Sequence, residues 1–121
     1  MGFLPLWEDA RKIHDAGSAL IWFTAALAWA ARCYNEKALE TGSAYLTLAH
    51  QYLDRYGQLP GTILYTGELE NSLKMITAHV AHATQHAVDN HVEASNAVRS
   101  AEMELRRYCG LTNWNISGAS L

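Results

Sequence analysis

The chain has 121 residues, of which 50% are apolar and 17% are charged. This is enough apolar material for a modest core, and we expect a single helical domain over residues 1–121. Nine lysines and arginines stand against twelve aspartates and glutamates, and no segment concentrates positive charge. Since binding to a phosphate backbone requires such a concentration, we expect no nucleic-acid partner.

The cysteines and one apolar segment bear on the cellular compartment. Cys33 and Cys109 lie far apart inside helical patterns, which is typical of free thiols in a reducing cytoplasm. The N-terminal residues contain no basic region before an apolar run, so we expect no signal peptide. The uncharged segment from Ala16 to Ala31 is shorter than the about 20 residues that a membrane span needs. We therefore predict a cytoplasmic protein without a membrane-inserted segment.

Four helices are predicted in chain order. Pro5 suits a first helical turn, and the next two helices show apolar residues at spacings of three and four. Gly57 and Pro60 end the third helix, and an apolar, β-prone connection follows it. Residues 111–121 form a small-residue tail that we expect to be partly ordered. The predicted helices cover residues 5–15, 18–34, 35–56 and 68–109.

The last of these helices dominates the predicted architecture. Residues 68–109 contain neither proline nor glycine, and one continuous helix of that length would span about 60 Å. A compact monomer of this size has a radius of gyration of about 14 Å. The rod must therefore fold back, for instance near Asp89 and Asn90, or be covered by other copies. We favour the second solution: an all-α fold, a helical bundle with one very long C-terminal helix, completed by self-association into a homo-oligomer.

An apolar stripe along this helix indicates the surface on which a partner helix packs. Its small residues require the partner to come close. The stripe consists of Leu69, Leu73, Ile76, Val80, Ala83, Ala87, Ala94, Val98, Ala101 and Leu105.

A row of histidines lies on the opposite face. His79, His82 and His86 recur at spacings of three and four, and Asp89 and Glu93 continue the same line. These residues are possible ligands for zinc, nickel or copper. On a straight helix only two neighbouring imidazoles can share an ion, so another helix must complete a site. The alternative interpretation is a solvated polar face.

Tyrosines of the third helix suggest a ligand pocket. Tyr45, Tyr52 and Tyr56 share one stripe, and Arg55 lies to one side. Such a row suits a pocket that stacks a planar ligand, with Arg55 meeting an anionic group. Tyr65, in the following connection, is a candidate lid residue. The alternative is that the stripe is plain core.

His91 joins the candidate ligand-binding residues. It falls on the apolar stripe of the long helix, where an unpaired ring would carry a desolvation cost. A hydrogen bond across the bundle or a contact with a ligand would satisfy it.

No catalytic pattern is evident in the sequence, such as a nucleophile with a base or a glycine-rich phosphate loop. We therefore predict a non-enzymatic, homo-oligomeric binding or regulatory protein. It would sequester a nucleotide-like or other planar anionic ligand, by analogy with small viral inhibitors of host defence, or block a protein partner. The alternatives are a structural component, such as a phage-type connector or a chaperone, and a metal-binding helical sensor. No cofactor is expected except a divalent transition metal.

Overall fold

The computed structural model describes residues 9–59 and 67–112. Within these two ranges the regular structure is helical and no strand is present, which confirms the prediction of an all-α bundle. A short 3₁₀ turn at Ala10–Lys12 precedes four helices. They are α1 (Ala16–Asn35), α2 (Leu39–Gln58), α3 (Gly67–Gln85) and α4 (His91–Thr112).

Asp15 sets the start of α1. Its backbone is extended, with φ −131° and ψ 145°, and its carboxylate accepts hydrogen bonds of 2.8 Å from the backbone N–H and the hydroxyl of Ser18. This is an N-cap, which leaves the preceding residues outside the helix. The predicted first helix over residues 5–15 is therefore wrong in its described part, where only the turn at Ala10–Lys12 is helical.

A tight turn joins α1 to α2. Lys37 adopts a positive φ of 59°, and the N–H of Ala38 donates to the carbonyl of Cys33 at 2.8 Å, as is typical of a helix C-terminus. The next helix consequently begins at Leu39 rather than at residue 35. Gly42 lies against the ring of Tyr34, so that the two helices pack closely.

The predicted long helix is two helices in the structure. α3 ends at Gln85, α4 begins at His91, and the intervening residues fold the chain back so that the helices pack together. The side chain of Asn90 accepts a 3.2 Å hydrogen bond from the N–H of Glu93 and so caps the start of α4. The continuous helix over residues 68–109 is therefore wrong. Self-association stays a prediction. A helix that overhangs the globule no longer supports it, because the chain folds back.

The apolar stripe forms the inner surface of the α3–α4 hairpin. All its members are buried except Leu73, which is half-buried. They join one core with apolar side chains of α1 and α2. In this core the hydroxyls of Tyr56 and Tyr108 hydrogen-bond to each other, which connects α2 to α4. The thiols of Cys33 and Cys109 are buried, and burial raises the pKa of both.

α1 is, among the described helices, the one that is long and apolar enough to cross a membrane. Half of its most apolar 18-residue window is buried inside the fold. A core helix of a soluble protein has the same length and composition, and the structure is compatible with a soluble protein.

Candidate metal centre at the α3–α4 turn

The turn between α3 and α4 brings three potential metal ligands together. His82 lies in the last turn of α3, His86 is the first residue of the turn that follows, and Glu93 lies in the first turn of α4. One ligand atom of each residue lies within 4.8 Å of the other two. Two imidazole nitrogens and a carboxylate oxygen are a common ligand set for zinc and related divalent metals. The sequence pattern requires another helix to complete a metal site, and α4 is the helix that lies beside the histidines.

The contact between His82 and Glu93 has almost the spacing of two ligands on one ion. The Nε2 atom of His82 lies 2.9 Å from Oε2 of Glu93. In a tetrahedral zinc site with bonds of about 2 Å, neighbouring ligand atoms lie about 3.3 Å apart. An ion could therefore enter between the two atoms after a movement of a few tenths of an ångström.

Asp89 holds the ring of His86. Its Oδ1 atom lies 3.2 Å from Nδ1 of His86. In the tautomer that donates this hydrogen bond, Nε2 is the nitrogen left to bind a metal. A carboxylate behind a ligating histidine orients the ring and increases its basicity. Asp89 therefore suits a supporting role, while His82, His86 and Glu93 would supply the ligand atoms to an ion.

The cluster is partly open to water. The side chains of His82 and Glu93 are each 46% exposed, and that of His86 is 28% exposed. An ion pair with this exposure adds little to stability. The same exposure gives an ion access to the cluster and lets water fill its remaining coordination positions.

His79 has different surroundings. It is half-buried on α3, one turn before His82, and its charge acts on Glu104 of α4. The carboxylate of Glu104 accepts a 2.7 Å hydrogen bond from Ser72 and a 3.1 Å one from Arg107. The hydrogen bond from Ser72, followed by the smaller effects of Arg107 and His79, lowers the pKa of Glu104. Of the three predicted histidines, the structure thus brings two into the cluster.

The predicted tyrosine stripe lies in the core. Tyr45, Tyr52 and Tyr56 are at most 3% exposed. The ring of Tyr45 stacks on Trp29 with centroids 5.8 Å apart, and that of Tyr52 lies 6.0 Å from the ring of Trp22. A planar ligand on these ring faces would have to displace the tryptophans. A role of the tyrosines in ligand binding stays a prediction.

Arg55 lines an open cleft of about 610 Å³ at one end of α2. Its Nε donates to the carbonyl of Ile13 at 2.8 Å, which fixes the guanidinium at the wall. Charges of both signs line this cleft, including those of Arg11 and Asp54. Tyr65, the predicted lid residue, lies outside the described residues.

His91 does not lie in the interior of a helix seam. Because the chain turns at residues 86–90, His91 begins α4 and is half-buried at the edge of a small cleft. Lys37 and Arg99 share this cleft. No sequence pattern points to these two residues, because only the fold brings the α1–α2 turn beside α4.

Comparisons with known proteins identify no relative. No family model matches the chain, and no curated protein and no solved structure matches it.

Proposed function

We propose that this chain is a small helical protein that binds one divalent transition-metal ion at the α3–α4 turn. The supporting observation is the cluster of His82, His86 and Glu93, whose ligand atoms lie within 4.8 Å of one another. In the proposed site both imidazoles bind through Nε2, the glutamate binds through one oxygen, and water completes the coordination.

The position of the cluster favours a regulatory role for the ion. His82 belongs to α3, His86 to the turn and Glu93 to α4, so a bound ion would connect the helices and stabilise the hairpin. An ion that binds only the folded chain stabilises it by about 2.7 kcal/mol at a concentration 100 times its Kd. The fraction of chains with a bound ion would rise with the metal concentration, and the stability of the α3–α4 turn would rise with it.

Isothermal titration of zinc and nickel into metal-stripped protein tests this function. We expect one ion per chain for the wild type and at least about a 100-fold loss of affinity for the double variant His82→Ala, His86→Ala. His79→Ala is the matched control, because it removes an imidazole from the same helix one turn away. Equal binding by the double variant and the wild type would refute the site, as would a loss of binding in His79→Ala.

Glu93→Gln tests whether the ion connects the two helices. Glutamine keeps the size of the side chain but is a poor metal ligand, so we expect at least about a tenfold loss of affinity. The rise in melting temperature with zinc should also be smaller than in the wild type. If Glu93→Gln binds zinc and gains stability like the wild type, the ion is held without α4 and the regulatory role is wrong.

The Arg55 cleft supports a second candidate function, the capture of a small polar ligand. The observation in its favour is a fixed guanidinium at the wall of an open space of about 610 Å³. Native mass spectrometry of protein purified without chelator compares both functions and reports the number of subunits. An organic mass retained by the wild type and by the histidine double variant, but lost from Arg55→Gln, would favour ligand capture. A retained metal mass alone would favour the metal site.

A further inference from the structure

A small polar cleft lies between the end of α1 and the first three turns of α4. Its volume is about 190 Å³, which is room for about six water molecules. That space accommodates a tetrahedral oxyanion with part of its hydration shell. The polar side chains that line the cleft are Asn35, Lys37, His91, Ser95, Asn96 and Arg99.

The charge of this lining is positive. Lys37 and Arg99 are cationic, and none of the described residues that line the cleft is an aspartate or a glutamate. Glu36 and Glu93 are neighbours in sequence of lining residues, but neither side chain lines the cleft. The start of α4 adds the positive end of a helix dipole. The cleft therefore favours an anion.

The fold anchors the guanidinium of Arg99 and the backbone of Lys37. Arg99 donates through Nη2 to Oδ1 of Asn35 at 3.0 Å, which uses one of the five N–H groups of the guanidinium. Lys37 belongs to the turn after α1 and has a φ of 59°. Few residues other than glycine and asparagine adopt this backbone conformation, so the packing of the turn determines the backbone position of Lys37. Two cations on different elements thus face one space.

We propose that this cleft binds a phosphate group, as the free ion or as a phosphate monoester. Arg99 presents the paired N–H donors that match phosphate geometry, and Lys37 adds a second positive charge. Asn96 and Ser95 can donate neutral hydrogen bonds to the remaining oxygens. The site shares no residue with the proposed metal ligands and goes beyond the metal-binding function.

Titration of inorganic phosphate and of adenosine monophosphate, followed by backbone amide NMR, tests the proposal. The titrations use the His82→Ala, His86→Ala variant, so that phosphate cannot bind through a metal ion. We expect saturable shifts in the amides of residues 35–37 and 91–96. Tighter binding of the monoester would identify an organic phosphate as the ligand, and equal affinity would identify the free ion. The absence of saturable shifts in these amides with either compound would overturn the proposal.

Charge-matched variants distinguish a specific phosphate site from nonspecific electrostatic attraction. Arg99→Gln and Lys37→Asn each remove one positive charge, and asparagine tolerates the positive φ at residue 37. Arg106→Gln removes the same charge from an exposed position of α4 outside the cleft. We expect at least about a tenfold loss of phosphate affinity for the first two variants and less than about a twofold loss for the third. If Arg106→Gln weakens binding as much as Arg99→Gln, binding is nonspecific and the proposal is wrong. The amide spectra also show whether each variant is folded.

Discussion

The close packing of α1 and α2 predicts that Gly42→Ala destabilises the fold. A Cβ atom at residue 42 would lie 2.8 Å from Cζ and 2.9 Å from Cε2 of Tyr34, closer than real contacts allow. The ring cannot move freely, because it is buried and its hydroxyl donates to the carbonyl of Ala87 at 3.0 Å. Overpacking costs about 1–3 kcal/mol, and loss of the hydrogen bond adds about 1 kcal/mol. Alanine recovers about 1 kcal/mol through its helix propensity, which leaves a net loss of about 1–3 kcal/mol.

Urea unfolding followed by far-ultraviolet circular dichroism measures this difference. The control is Gly57→Ala in the same helix, where an added Cβ meets nothing within 4 Å. The control should be stabilised by up to about 1 kcal/mol, because it gains helix propensity without a clash. If Gly42→Ala proves as stable as Gly57→Ala, the close approach of Tyr34 to α2 is wrong.

Two further predictions concern buried hydroxyl groups. Burial raises the pKa of Tyr34 from 10 to about 12, so between these values the unfolded chain loses a proton that the folded chain keeps. The free energy of unfolding should therefore fall as the pH rises through this window, and Tyr34→Phe should show a shallower fall in urea unfolding at alkaline pH. Ser72→Ala removes the donor to Glu104 and should lower the free energy of unfolding by about 1–2 kcal/mol at neutral pH. Because this hydrogen bond lowers the pKa of Glu104, its contribution is lost as the pH falls, and the variant should approach wild-type stability in acid. A constant difference between variant and wild type down to acidic pH would contradict this account.

The sequence predicted which residues are buried better than it predicted where helices end. The stripe of residues 69–105 was identified from its spacing, and nearly all of it is buried. The turn at residues 86–90 contains neither glycine nor proline, so local propensity favoured continuity. When the chain folds back, the two halves of the stripe bury each other. The free energy gained from this packing outweighs the local preference for a continuous helix. Gly42, a residue of low helix propensity, lies inside α2, and Tyr34 packs against it.

The tyrosine stripe illustrates a limit of periodicity as a functional signal. A core face and a ligand pocket both require apolar side chains at spacings of three and four. What distinguishes them is whether protein atoms already occupy the ring faces, and this depends on Trp22 and Trp29 of α1. The pattern within α2 contains no information on those contacts, so it could not separate the two interpretations.

The helix break is what assembles the metal-ligand cluster. His82 and Glu93 are 11 residues apart, which on a continuous helix would separate them by about 16 Å along the axis. The turn reduces the distance between Nε2 and Oε2 to 2.9 Å. Folding back near Asp89 and Asn90, the alternative to a continuous helix, thus brings the carboxylate of Glu93 beside the two histidines. A metal ion bound by all three residues would favour the folded-back hairpin over the straight helix, since only the hairpin offers the complete ligand set.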